Sequence, residues 1–104
     1  MTEVGRKNDQ DKIRMDLIPS ELLIATATIL TFGARKYSAR NWEKGMSWGR
    51  VYGAMQRHLW AWWGGDNTDE ETGYSHLWHA ACCLCFLIAY EARGIGFDDR
   101  KTND

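Results

Sequence analysis

From Leu77 to Tyr90 the chain carries no charged side chain and is apolar on nearly every face of a helix. Such a segment either sits inside a bundle or crosses a membrane. It is too short to span a bilayer and contains His79, so a bundle interior is the expectation. Ahead of it Thr68-Asp69-Glu70-Glu71 has the form of a capping box, and behind it Gly94 is a natural stop. Together these signals predict a helix over 69–93.

Two further helices follow from spacing. Leu22, Ala25, Ile29 and Phe32 recur at helical intervals, and Leu23, Ala27 and Leu30 cover another face. Pro19 suits a first turn, Glu21 favours the positive N-terminal end, and Gly33 suits a C-terminal stop. The pattern predicts a helix over 19–32, apolar round most of its girth and therefore central. Trp48, Val51, Tyr52, Met55, Leu59 and Trp62 form an i, i+3, i+4, i+7 stripe that predicts a helix over 47–63, closed by Gly64-Gly65. No segment alternates with the period of a strand. The expected fold is all-α: a small bundle of three principal helices, completed by oligomerisation. Residues 1–18 read as an N-terminal arm, 19–96 as the helical domain, and 97–104 as a charged, frayed tail.

A chain of 104 residues is enough for one domain with a modest core. Six tryptophans (Trp42, Trp48, Trp60, Trp62, Trp63 and Trp78) exceed what a small monomer readily buries, and Trp is enriched at interfaces. A homo-oligomer is therefore expected. The net charge of -1 gives no general attraction to nucleic acid or to an anionic membrane, so neither is an expected partner. Cys82, Cys83 and Cys85 fit neither a disulfide framework nor a zinc motif. They read as small core residues in a reducing compartment. Residues 1–16 show no secretory leader, and the expected location is cytoplasmic.

Charge is distributed unevenly. Residues 35–50 carry Arg35, Lys36, Arg40, Lys44 and Arg50 against Glu43, whereas 66–71 carry Asp66, Asp69, Glu70 and Glu71. Two solvated loops of opposite sign would give this pattern, and so would a site for an anionic ligand held through a cation.

The chemistry concentrates at the junction of the last two helices. On one helix, Asp69, Thr72, His76 and His79 would share a face. A short link makes the second and third helices antiparallel, which brings His58 and Trp62 towards the same end. Carboxylates suit Mg²⁺ or Mn²⁺, and imidazoles suit borderline metals; such ions can clamp phosphate oxygens and activate water. The candidate metal ligands are His58, Asp66, Asp69, Glu71, His76 and His79, with Asp69, Glu71 and His79 as the candidate catalytic groups. Lys12, Arg14, Arg35, Lys36 and Arg57 are candidate phosphate contacts. In the basic loop Tyr37 and Trp42 are candidate platforms for a base, and Asn41 is a further candidate substrate contact. Each also has a purely structural reading. Glu71 would close the capping box, His76 and His79 would bond backbone, Asp66 would shape a turn, Arg57 would pair with an acid, and Tyr37 and Trp42 would plug the core.

Five strings occur in order: Lys12-Ile13-Arg14-Met15-Asp16-Leu17-Ile18-Pro19, Thr31-Phe32-Gly33-Ala34-Arg35-Lys36-Tyr37, Asn41-Trp42-Glu43-Lys44-Gly45, Arg57-His58-Leu59-Trp60-Ala61-Trp62-Trp63-Gly64, and Asp69-Glu70-Glu71-Thr72-Gly73-Tyr74-Ser75-His76-Leu77-Trp78-His79-Ala80. Over residues 7–90 the chain resembles the phage-encoded family of dATP/dGTP diphosphohydrolase N-terminal domains. The resemblance implies a nucleotide ligand and kinship with MazG-like all-α pyrophosphohydrolases, which bind Mg²⁺ through helix carboxylates and cut nucleoside triphosphates to monophosphates. The E-x-x-E and E-x-x-D pairs of those enzymes are absent here. The expected function is metal-dependent hydrolysis of (deoxy)purine nucleoside triphosphates, with Mg²⁺ or Mn²⁺, in a phage-infected cell. The alternative is a non-catalytic phage protein that sequesters a host signalling nucleotide.

Overall fold

A computed structural model describes residues 4–101. Its three long helices are α1 (Ser20–Lys36), α2 (Trp48–Trp63) and α3 (His76–Arg93). Short 3-10 turns lie at Met15–Leu17 and Asn41–Lys44. Among the described residues there is no strand, only isolated bridges at Ser47–Phe97 and Thr68–Ser75. The fold is all-α, as the sequence predicts.

The central helix is α3, not α1. It packs extensively against both α1 and α2, while those two share no comparable face. Small side chains on α3, among them the buried Ala80 and Cys82, permit the close approach. On α1 only Ala25 and Ile29 are buried, one turn apart, so the helix rests on α3 through a narrow seam. Leu22, Leu23 and Ile24 stay exposed. Thr26, Thr28 and Thr31 each donate a hydroxyl to the carbonyl four residues back, so their polar groups are satisfied within the helix itself. The expectation that α1 is central therefore fails, because its girth is apolar in composition but interrupted by threonines. The helix also runs through Gly33, which does not adopt a positive φ. Its last turn closes where the Tyr37 amide donates to the Gly33 carbonyl.

The basic loop between α1 and α2 docks on the far end of α3. Trp42 stacks on Phe86 at 4.7 Å, and the wholly buried Tyr90 donates its hydroxyl to the Trp42 carbonyl at 2.6 Å. Glu43 pairs with both Arg40 and Arg93. The cysteines form no disulfide; burial pushes the Cys82 thiol up to about 12, so it behaves as a core residue.

The tail is anchored as far as Arg100, whose guanidinium lies over the Trp48 ring at 4.9 Å, contrary to the expectation of a frayed end; residues 102–104 lie outside the described residues. Trp48 donates its amide to the Phe97 carbonyl and its indole N–H to the Ile95 carbonyl. Asp99 accepts from the Ser47 hydroxyl and the Gly49 amide, both at 2.7 Å, and so satisfies the start of α2 from a distant part of the chain. The crossing requires glycine. Gly96 has φ +79°, and a Cβ there would lie 2.5 Å from the Met46 carbonyl oxygen. Gly96→Ala should therefore destabilise the protein by about 2 kcal/mol or more in urea denaturation. A loss within 0.5 kcal/mol, about the spread of neutral surface changes, would show that the tail clamp is not part of the folding unit.

Candidate functional site

The helix predicted over 69–93 begins instead at His76. Gly73 is the residue that breaks it, with φ +76°. Residues 66–75 fold as a compact loop over the α2–α3 junction. The Asp69 amide donates to the Tyr74 carbonyl and the His76 amide to the Asn67 carbonyl, giving a small hairpin-like turn. Asp69 organises its tip: Oδ1 accepts from the amides of Glu71 and Thr72, each at 3.0 Å. Thr68-Asp69-Glu70-Glu71 is thus a side-chain-stabilised turn and not a capping box. The true cap of α3 is Ser75, whose Oγ accepts from the Leu77 amide.

Although Asp69 and Thr72 are not on the helix, the loop returns them to the face that carries His76 and His79. The Thr72 hydroxyl lies 2.7 Å from His79 Nε2, and Asp69 Oδ1 lies 3.9 Å from the same nitrogen. His58 reaches across from α2. Its ring stacks on His79, with centroids 4.6 Å apart and planes at 15°, and its Nδ1 lies 2.9 Å from His76 Nδ1. The other nitrogen of His76 faces Asp66 Oδ2 at 3.3 Å. His76 is buried, and His58, Asp69 and His79 are half-buried.

His58, Asp69 and His76 each present a ligand atom within 4.8 Å of the others. Two imidazole nitrogens and a carboxylate oxygen, two of them from helices that pack directly, are a donor set that fits a divalent cation. Of the remaining candidate ligands, Asp66 stands behind His76, and His79 is turned to Thr72. Glu71 is paired with Lys36 at 3.2 Å across to α1.

The candidate phosphate and base contacts are dispersed. Lys36 and the exposed Tyr37 lie at the end of α1, and Lys36 sits over the Tyr37 ring at 5.4 Å. Arg35 and Arg57 are exposed. Asn41 opens the 3-10 turn whose Trp42 is committed to packing on Phe86 and Tyr90. Lys12 and Arg14 lie in the exposed arm, where Arg14 pairs with Asp16. Two positioning residues, Asn67 and Ser75, escape sequence reasoning. The Gly73 break before Ser75 is the signal that would have found the cap.

Burial holds His58 and His79 below the ordinary imidazole value of 6.5; for His58 the neighbouring His79 adds to the effect, while Asp69 opposes it for both. For Asp69 burial works upward, but the loop amide of Thr72, the nearby His79 and the Glu71 amide bring the carboxyl below its usual value. Near neutral pH the neutral forms of His58 and His79 are therefore favoured beside an ionised Asp69, and neutral imidazole with carboxylate is the combination that binds metal. The folded chain with neutral His58 and His79 binds fewer protons than the unfolded chain. Their stabilising contribution is complete above about pH 6.5 and lost as pH falls below it. The melting temperature of metal-free protein should accordingly decline on acidification below 6.5, less steeply in His79→Gln. A melting temperature that rises over that interval would contradict the burial described.

The family described as dATP/dGTP diphosphohydrolase, N-terminal, matches residues 2–100. A protein of Salmonella phage PMBT28, named dATP/dGTP diphosphohydrolase, is 33% identical over 97 residues, which cover 93% of this chain. The chain spans 33% of that relative's length. No solved structure matches the chain. A family match over nearly the whole sequence and a relative aligned along most of it show that this chain belongs to the dATP/dGTP diphosphohydrolase N-terminal family.

Proposed function

We propose that the protein hydrolyses (deoxy)purine nucleoside triphosphates to monophosphates with a divalent cation, Mg²⁺ or Mn²⁺, in the cytoplasm of a phage-infected cell. The observation that carries this reading is the meeting of His58, His76 and Asp69 at the α2–α3 junction in a chain whose relative is named for the activity. His58, His76 and Asp69 would hold the cation. Such an ion supplies Lewis acidity towards phosphate oxygens and makes water a better nucleophile. His79 would accept or donate the proton; its neighbours Thr72 and Asp69, and the burial that favours its neutral form, support that role. Lys36 and Glu71 form an exposed ion pair that a triphosphate can open, with Lys36 turning to phosphate. Arg35 and Tyr37 beside Lys36, and Arg57 beside His58 in sequence, would supply further contacts only if the ligand reaches across these dispersed, exposed groups.

A second reading is favoured by a specific observation: Glu71, a candidate catalytic acid, is paired with Lys36 and stands apart from the group formed by His58, Asp69 and His76. The chain would then bind a metal–nucleotide complex without cleaving it. Under the hydrolase reading, Asp69→Asn should lower turnover by more than about 100-fold, since even outer-shell partners of a metal are worth about 10- to 100-fold. Nucleotide retention should fall less. Purified protein that retains purine triphosphates unchanged after long incubation with Mn²⁺ would select the binder.

The same reading includes self-association. The radius of gyration is 17.7 Å, against about 13 Å for a compact domain of 100 residues. Ile13, Met15 and Leu17 on the arm, and Trp60 and Trp63 on α2, are largely exposed. Light scattering at micromolar concentration should give a mass of at least a dimer; a mass of 12.0 kDa would contradict it.

A further inference from the structure

We infer that His58, His76 and Asp69 form a centre selective for a first-row transition ion, such as Mn²⁺, Co²⁺ or Zn²⁺, and against Mg²⁺. The inference deepens the cation requirement of the proposed hydrolase and rests on that reading for its biological use, but not for its geometry.

The separation of the two Nδ1 atoms, 2.9 Å, is the central observation. Two nitrogens bound to one ion at about 2.1 Å, at right angles to each other, lie about 3.0 Å apart. The surroundings fix both rings for such a role. Asp66 Oδ2, 3.3 Å from His76 Nε2, favours the proton on that outer nitrogen and leaves the Nδ1 lone pair facing His58. His58 is held in plane by its stack on His79, which is in turn held by the Thr72 hydroxyl. Asp69 spends Oδ1 on the loop amides, and among the described residues Oδ2 has no hydrogen-bond partner. The carboxylate is thereby oriented by its own turn with one oxygen left to bind.

The donor set decides the ion. Mg²⁺ takes oxygen ligands and keeps most of its waters, whereas imidazole nitrogen suits later divalent ions, whose affinities rise along the series. Two imidazoles in a set of three, one of them buried, favour the later ions. The competing explanation is a direct hydrogen bond between the two imidazoles, which has the same length and needs no ion.

The test uses the full chain, stripped with chelator and dialysed against Co²⁺ in the presence of a 100-fold excess of Mg²⁺. One cobalt per chain should be retained, with weak visible absorption from nitrogen and oxygen ligands and a melting temperature raised by Co²⁺ but not by Mg²⁺. His58→Gln and Asp69→Asn should each weaken cobalt binding at least 10-fold while the helical circular dichroism is unchanged. His58 is only half-buried, so its variant remains informative if His76→Gln fails to fold. No retained cobalt would leave the imidazole–imidazole hydrogen bond as the explanation and overturn the proposal. Displacement by equimolar Mg²⁺, wild-type affinity in His58→Gln, or an intense near-ultraviolet thiolate band from the cysteines would also overturn it. Cobalt retained by a chain that leaves nucleotides intact removes the hydrolase reading and keeps this centre; hydrolysis with Mg²⁺ and no cobalt retained does the reverse.

Discussion

A buried imidazole in the first turn of α3 is the constraint around which the junction is organised. His76 cannot leave its ring nitrogens without partners in a desolvated position. One nitrogen is met by His58 from α2 and the other by Asp66 from the linking loop. Both partners are available only if α2 and α3 run antiparallel and the link folds back over their ends. The packing of the two helices and the polar centre are thus one arrangement seen from two sides.

The loop supplies what the helices cannot. Its turn at Asp69 positions Thr72 against His79, and His79 in turn supports the ring of His58. Its outer edge is tied to α1 by the Lys36–Glu71 pair, an exposed contact of small energetic weight. The centre of the site is therefore built on α2, α3 and Asp69, while the Lys36–Glu71 pair at its α1 edge is open to solvent.

The helical architecture was legible because its signals are local. The stripe from Trp48 to Trp62 gives α2 almost to the residue, since a polar serine precedes it and two glycines follow. The start of α3 was not, because Thr68-Asp69-Glu70-Glu71 satisfies the same chemistry as a turn that it would as a cap; only the positive φ at Gly73 separates the two. The buried seam of α1 was overestimated for a related reason. Composition shows how apolar a helix is, but not how little of it another helix covers. The tail clamp through Gly96 and Asp99 depends on contacts some fifty residues apart, which no local pattern carries. At the candidate site, grouping His58, His76 and His79 needed only antiparallel helices, whereas Asp69 joins them from the folded loop and not from the helix face predicted for it. Separating them from Glu71, which pairs with Lys36, and from Trp42, which packs on Phe86, needed the fold.

The most direct test of this arrangement is to locate the ion itself. Crystals grown with Co²⁺ or Mn²⁺ and measured at the metal absorption edge should show an anomalous peak within about 2.3 Å of both Nδ1 atoms of His58 and His76, with an Asp69 oxygen completing the protein ligands. An anomalous peak on the exposed carboxylates of Glu70 and Glu71, or no peak while the two imidazoles remain 2.9 Å apart, would contradict the account.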